Sequence, residues 1–162
     1  TFAYIAPFVA HTLHPSPNTL SLALVLFGLA GVIGNVWATR RIGRAGPTSN
    51  VTLSLWSMCI GMLVLAAIGH SWAGFVLGAL AWGGGVFANN SSQQARLVAA
   101  SPALAGASIA LNTSMIYLGQ AIGTSLGGAV IASSSYRTLP VVGATVLLAA
   151  LALSWRAARR SR

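Results

Sequence analysis

The chain contains no aspartate and no glutamate in its 162 residues. No side chain in it can act as a carboxylate base, and none can hold a hard cation through carboxylate oxygens. Lysine is absent as well, so all nine residues counted as Lys or Arg are arginines. Nothing acidic is present to pair with them. One cysteine, Cys59, lies within an apolar run, where it cannot form an internal disulfide and reads as a small packing residue. No glycine-rich Walker-type motif occurs, so nucleotide hydrolysis is not expected. The histidines are few: His11, His14 and His70. His11 and His14 have a spacing that suits a metal, but no third ligand is in view and Pro15 follows at once. No metal and no cofactor are read.

Charge as a whole is scarce. Charged residues make up 6% of the chain, against about 25% in an ordinary soluble domain. A soluble fold could not cover itself with so little polar surface. What is present instead is apolar sequence: 56% of residues are hydrophobic and the mean hydropathy is +0.78. Apolar runs of about twenty residues recur, each long enough to cross a bilayer as a helix. The expected fold is an all-α, polytopic transmembrane helix bundle. The formal charge of +9 does not indicate nucleic acid, because the arginines lie in short gaps between apolar runs rather than on one soluble face.

The expected spans are residues 1–10, 19–39, 48–69, 73–92, 103–132 and 139–155. Between them lie "HTLHPSPN", a basic loop "RRIGRAGP", a minimal turn "HSW", the stretch "QQARLVAASP" and "SSSYRT". Alternating loops allow the arginines to be assigned to sides. Arg40, Arg41, Arg44, Arg96, Arg156, Arg159, Arg160 and Arg162 fall on one side, and only Arg137 on the other. Positive charge resists translocation, so the arginine-rich side, with the C-terminus, is expected to be cytoplasmic. There the arginines would meet anionic lipid headgroups of the bilayer. Trp37 and Trp155 near the inner ends, with Trp72 and Tyr136 near the outer ends, suit interfacial belts.

Two stripes mark the fifth span. Gly119, Gly123 and Gly127 recur every fourth residue, a pattern that lets helix backbones approach closely. Thr113, Tyr117, Gln120 and Thr124 share a different face. That polar face is costly against hydrocarbon and should meet protein or a water-filled cavity. Trp82 and Asn89 lie on a comparable face of the fourth span with Gly78 and Gly85, and Tyr4 lies on one of the first. The candidate cavity-lining residues are Tyr4, Trp82, Asn89, Asn112, Thr113, Tyr117 and Gln120.

The passages "TFAYIAPF", "LFGLAGVIGN", "RRIGR", "QARLVAASPALAGASIALNTS" and "YLGQAIGTSLGG" together resemble the C-terminal half of major facilitator superfamily transporters. The resemblance is nearest to the bacterial sugar- and drug-efflux branch, often described as arabinose-efflux permease-like. It implies the second six-helix half of a twelve-helix transporter, with the first of these six helices truncated. It also implies location in a bacterial cytoplasmic (inner) membrane. Efflux would proceed by alternating access, with a small-molecule substrate, no catalytic residues, and the N-terminal half of the same transporter as partner. Arg40, Arg41, Gly43 and Arg44 occupy the place of a basic loop motif in that family. Thr39 stands where the motif would carry its acid, so the motif's charge pair is not reproduced. Proton-coupling acids would lie in the N-terminal half. The alternative is a non-transporting membrane scaffold or assembly protein, in which the polar stripe is a seam between helices. A small self-assembling multidrug pump would need a membrane glutamate, which this chain lacks.

The arginine asymmetry makes a direct prediction. A reporter that is active only in the cytoplasm, fused after Arg162, should be active, and one fused in the 134–138 stretch should be silent. The reverse pattern would overturn the orientation.

Overall fold

The computed structural model describes residues 2–13 and 16–160. His14 and Arg162, which entered the metal and topology expectations, lie outside the described residues. Among the described residues there are helices and turns and no strand. The helices are α1 (Ile5–Leu13), α2 (Pro17–Ala45), α3 (Pro47–Ile68), α4 (Trp72–Ala100), α5 (Ala105–Ser133) and α6 (Leu139–Arg160). Short 3₁₀ turns, Phe2–Tyr4, Pro102–Leu104 and Tyr136–Thr138, precede α1, α5 and α6. The Pro17–Ala45, Pro47–Ile68, Pro102–Ser133 and Tyr136–Arg159 segments are long and apolar enough to cross a membrane.

Local chemistry sets the helix starts. Ser16 caps α2, its hydroxyl accepting from the Thr19 N–H at 3.3 Å, and Pro17 follows where a missing N–H costs nothing. Ser71 caps α4 in the same way, accepting from Gly74 N–H at 3.1 Å. Pro47 opens α3.

The helices outrun the apolar spans. Residues 40–45 were expected in a loop, yet α2 continues through Arg40, Arg41 and Arg44 to Ala45. Likewise α4 continues through Gln93, Gln94 and Arg96 to Ala100. Arginine, alanine, glutamine and leucine are good helix formers, so the helix does not stop where the apolar stretch does. With 29 residues each, α2 and α4 are roughly 43 Å long and exceed the hydrocarbon core of about 30 Å. The α2–α3 turn therefore contracts to Gly46 alone. Its φ of 76° and ψ of 157° belong to a region open essentially to glycine.

Helix α4 is central. Helices α2 and α3 both pack extensively against it, α6 packs on α3, and α5 touches α4 only lightly. The contacts with α4 run through small residues. A Cβ placed on Gly61 of α3 would sit 2.6 Å from the Trp82 backbone nitrogen and 2.7 Å from the Gly78 carbonyl oxygen. One placed on Gly34 of α2 would collide with the backbone of Gly84. Around these crossings lies the core, with Phe27, Val51, Leu55, Cys59, Met62, Phe75 and Trp82 buried. Phe27 and Trp82 stack at a tilt, centroids 5.1 Å apart. Ser57 adds an interhelical bond, donating to the Ala81 carbonyl at 2.7 Å.

Much of the remaining apolar surface is outward-facing: Leu22, Val25, Leu29, Trp56, Leu63 and Leu153 are all exposed. Apolar exposure on this scale fits a bilayer and not water. The chain is thus an all-α membrane bundle.

The turn geometry separates two neighbouring glycines. Gly46→Ala should destabilise the fold by about 1–3 kcal/mol through backbone strain. Gly43, helical and with open space around its Cβ direction, should gain about 0.5–1 kcal/mol as alanine. Thermal unfolding in detergent, followed by circular dichroism, measures both shifts.

Candidate functional site

The sequence singled out seven lining residues, and the structure divides them among four situations. Trp82 is the first. It is 4% exposed and sits against Phe27 in the core. It borders a cavity of about 200 Å³ shared with Met58, Met62 and Leu147. The cavity is apolar, so Trp82 does not line a polar one. The packing demand of the α3–α4 crossing overrides the polar face on which Trp82 was placed.

Tyr4 is the second. Its hydroxyl donates to the Thr124 carbonyl at 2.8 Å, so its polar group is engaged with α5. The ring lies against Gly127, where an added Cβ would approach it to 2.7 Å. Tyr4 acts as a strut between the start of the described chain and α5.

The third situation is the α4–α5 pair. Asn89 and Asn112 are each half-buried. The Asn89 Oδ1 and Asn112 Nδ2 atoms are buried and have no hydrogen-bond partner. Gln93 Oε1 is in the same condition. Gln93 follows Asn89 by one helical turn. It lies eight residues before Ser101, while Asn112 lies eight after Leu104, so the antiparallel hairpin brings the two to one level. Buried amide atoms without partners cost about 1–3 kcal/mol each, and such groups need a ligand, water or a further protein surface. Gln93 was missed because residues after 92 were assigned to a loop. Its i, i+4 relation to Asn89 was the available signal.

The stripe of Thr113, Tyr117, Gln120 and Thr124 is exposed along its length. Thr113 turns its hydroxyl back to the Ile109 carbonyl at 3.0 Å. Tyr117 is 65% exposed. No other helix of the described chain covers this face, and Gly127 is the single buried residue of α5.

The glycine stripe of α5 is corrected in part. A Cβ on Gly119 or Gly123 would meet nothing within 4 Å, so neither seats a neighbouring helix of this chain. Gly123 opens instead onto the apolar cavity. Only Gly127 makes the close approach, to the Tyr4 ring. The close glycine contacts of the bundle lie on α2, α3 and α4, where backbones cross directly.

At the arginine-rich end, Arg40 and Arg44 are exposed and Arg41 is half-buried. The Arg41 guanidinium lies over the Trp37 ring, 5.4 Å from its centroid, and Arg159 covers Trp155 at 3.6 Å. Arg96 donates to the Ser154 hydroxyl at 3.1 Å and links α4 to α6. Among the described residues there is no cluster of three metal-ligating side chains.

The major facilitator superfamily matches over residues 1–162, the whole chain. The chain belongs to that superfamily. It is a family of membrane transporters and not of enzymes. The inner membrane transport protein YdhP of Escherichia coli K12 is 30% identical over 162 residues, which cover 98% of this chain and 41% of that protein. An MFS-type transporter of Bacillus subtilis, YbcL, is 22% identical over 153 residues, 94% of this chain and 39% of its own length. The chain thus spans about two fifths of the curated relatives it matches. No solved structure matches it. As a multi-pass member of this superfamily, it carries its exposed apolar helices in a bilayer.

Three substitutions test the Tyr4–α5 contact. Gly127→Ala should push the Tyr4 ring away and cost about 1–3 kcal/mol, whereas Gly123→Ala should be tolerated. Tyr4→Phe should cost about 0.5–1.5 kcal/mol through the lost bond to the Thr124 carbonyl. Folded yield and unfolding midpoint in detergent read all three.

Proposed function

We propose that this chain forms the C-terminal half of a secondary efflux transporter of the bacterial inner membrane, exporting a sugar or drug-like small molecule by alternating access. The observation that carries the substrate site is the set of buried, unpartnered amide atoms of Asn89, Gln93 and Asn112 on α4 and α5. They supply two acceptors and a donor, the groups that orient a hydroxyl- or amide-bearing ligand. The exposed stripe of Thr113, Tyr117 and Gln120 extends that surface along α5. An N-terminal half facing this stripe would enclose a central cavity, and the two halves would rock around it. The similarity to a protein named as an inner membrane transport protein supports this reading.

Proton coupling is assigned to the N-terminal half. Coupling within the membrane needs a group whose charge changes near neutral pH, and intramembrane acids and histidines are the usual carriers. The chain offers no acid, and arginine remains protonated throughout. By the proposed orientation its histidines lie toward the outer face. The orientation itself, with the C-terminus cytoplasmic, rests on the arginine asymmetry.

The rival reading, a scaffold whose polar stripe is a dry seam, makes the opposite prediction for water access. With Cys59 replaced by alanine, cysteines placed singly at positions 113, 117 and 120 should react with a membrane-impermeant maleimide, and substrate should protect them. Gln93→Leu and Asn112→Leu should lower transport at least about tenfold, equivalent to about 1.4 kcal/mol of lost binding, with insertion unchanged. Unreactive cysteines with normal transport by both variants would favour the seam.

A further inference from the structure

Helices α2 and α3 both close on α4, and they touch one another little. An apolar groove of about 560 Å³ is left between them. Gly84, Gly85 and Ala88 of α4 line its floor, and its walls include Ile33 and Trp37 of α2 and Leu53 of α3. Those three wall side chains are exposed, so the groove opens outward along its length. Its lining includes none of Asn89, Gln93 and Asn112, and it does not depend on the transport reading.

The groove runs into the arginines. Ala30, Ile33 and Trp37 follow i, i+3, i+7 on α2, and the same face continues through Arg40, Arg41 and Arg44. Arg41 bridges the two regions. Its guanidinium lies over the ring of Trp37, a wall residue. Its Nε is buried and has no hydrogen-bond partner. Helix α3 begins at this same end, and its cap residue Gly46 provides no side-chain hydrogen bond. Pro47 has no N–H and the Asn50 N–H bonds to the Gly46 carbonyl at 3.4 Å, so the N–H groups of Thr48 and Ser49 are the ones left for an acceptor, with the positive end of the helix dipole behind them. Asn50, fully buried, donates to the Ala38 carbonyl at 2.7 Å and holds the two helix ends together.

We infer that this groove and its basic mouth are a binding site for one anionic phospholipid. Each half of the site demands one half of such a molecule. The groove is apolar and open to hydrocarbon, and its volume falls within the roughly 300–1,000 Å³ range of small-molecule sites, so it takes an acyl chain. The mouth concentrates positive charge with no acid anywhere in the chain to neutralise it. A phosphate group there meets Arg40, Arg41 and Arg44 as charge-assisted donors. A zwitterionic lipid would bring its own cation into the same cluster. A free phosphate would leave the groove unused, and a neutral apolar peptide would leave the arginines unpaired.

Trp37 reports on the site directly. The purified chain is reconstituted into vesicles of phosphatidylcholine and phosphatidylglycerol in which only one of the two lipids carries brominated acyl chains. The contribution of Trp37 is isolated by difference from Trp37→Phe. Brominated phosphatidylglycerol should quench Trp37 more than brominated phosphatidylcholine at matched content. Each arginine of the trio changed to glutamine should reduce that preference by about fivefold. Arg156→Gln with Arg159→Gln, at the end of α6, should leave it intact and serves as a folded control. Leu53→Trp, combined with Trp37 quenching by difference, should narrow the groove and lower quenching by either lipid. Inorganic phosphate added to the buffer should not abolish the preference.

Equal quenching by the two lipids would overturn the proposal. So would a preference that survives loss of the arginine trio, or one lost with Arg156 and Arg159, since that would reflect general surface charge. Protection of Trp37 from both lipids, accompanied by a dimer in crosslinking, would show that a second copy covers the groove.

Discussion

Two backbone crossings govern the bundle. At Gly61, which faces the Gly78 carbonyl and the Trp82 nitrogen, and at Gly34, which faces Gly84, the backbones of α3 and α2 approach that of α4 directly. In lipid the hydrophobic effect gives helices no reason to prefer one another, so close packing and interhelical hydrogen bonds must hold them. The glycine crossings bring backbones near enough for both. Ser57 can reach the Ala81 carbonyl because the helices are this close. The same closeness leaves α2 and α3 leaning on α4 rather than on each other.

Helix α5 obeys a different rule. It has a polar stripe, two glycines with open space before them, and one firm anchor, the Tyr4 strut at Gly127. A helix so placed is held by that strut, by light contacts with α4 and α6 and by its short connections, and its polar face awaits another surface. This contrast divides the chain into a tightly interlocked trio, α2 to α4, with α6 attached to it, and a lightly held α5 that carries most of the hydroxyl and amide groups proposed to meet substrate.

The sequence made the class of fold plain, because apolar length and charge scarcity act over whole segments and no local accident can imitate them. It was less informative about which glycines matter. The i, i+4 repeat of α5 is more regular than the glycines of α2 and α3, yet Gly61 and Gly34 make the crossings, and Gly119 and Gly123 do not. Periodicity identifies a face but not the helix opposite it. Trp82 shows the same limit: it shares a face with Asn89, yet the approach of α3 places it in the core, where it borders an apolar cavity. Gln93 was lost to a boundary, since hydropathy marks the end of the hydrocarbon while helix propensity carries the backbone onward through "NNSSQQAR". The unpartnered state of the three amide atoms could not be read at all, because it depends on what the neighbouring helices fail to offer.

Gly46 has a mechanical consequence. A joint of one residue pins the adjoining ends of α2 and α3 together, and the Asn50 bond to the Ala38 carbonyl adds a second pin just inside it. Two rods of roughly 43 and 33 Å joined in this way, like the legs of a pair of compasses, can spread only at their free tips. A change of a few degrees in the angle between them is negligible beside the arginines and amounts to a few ångströms at the other face of the membrane. Any rearrangement of this pair therefore leaves its basic end almost still while opening or closing its far end.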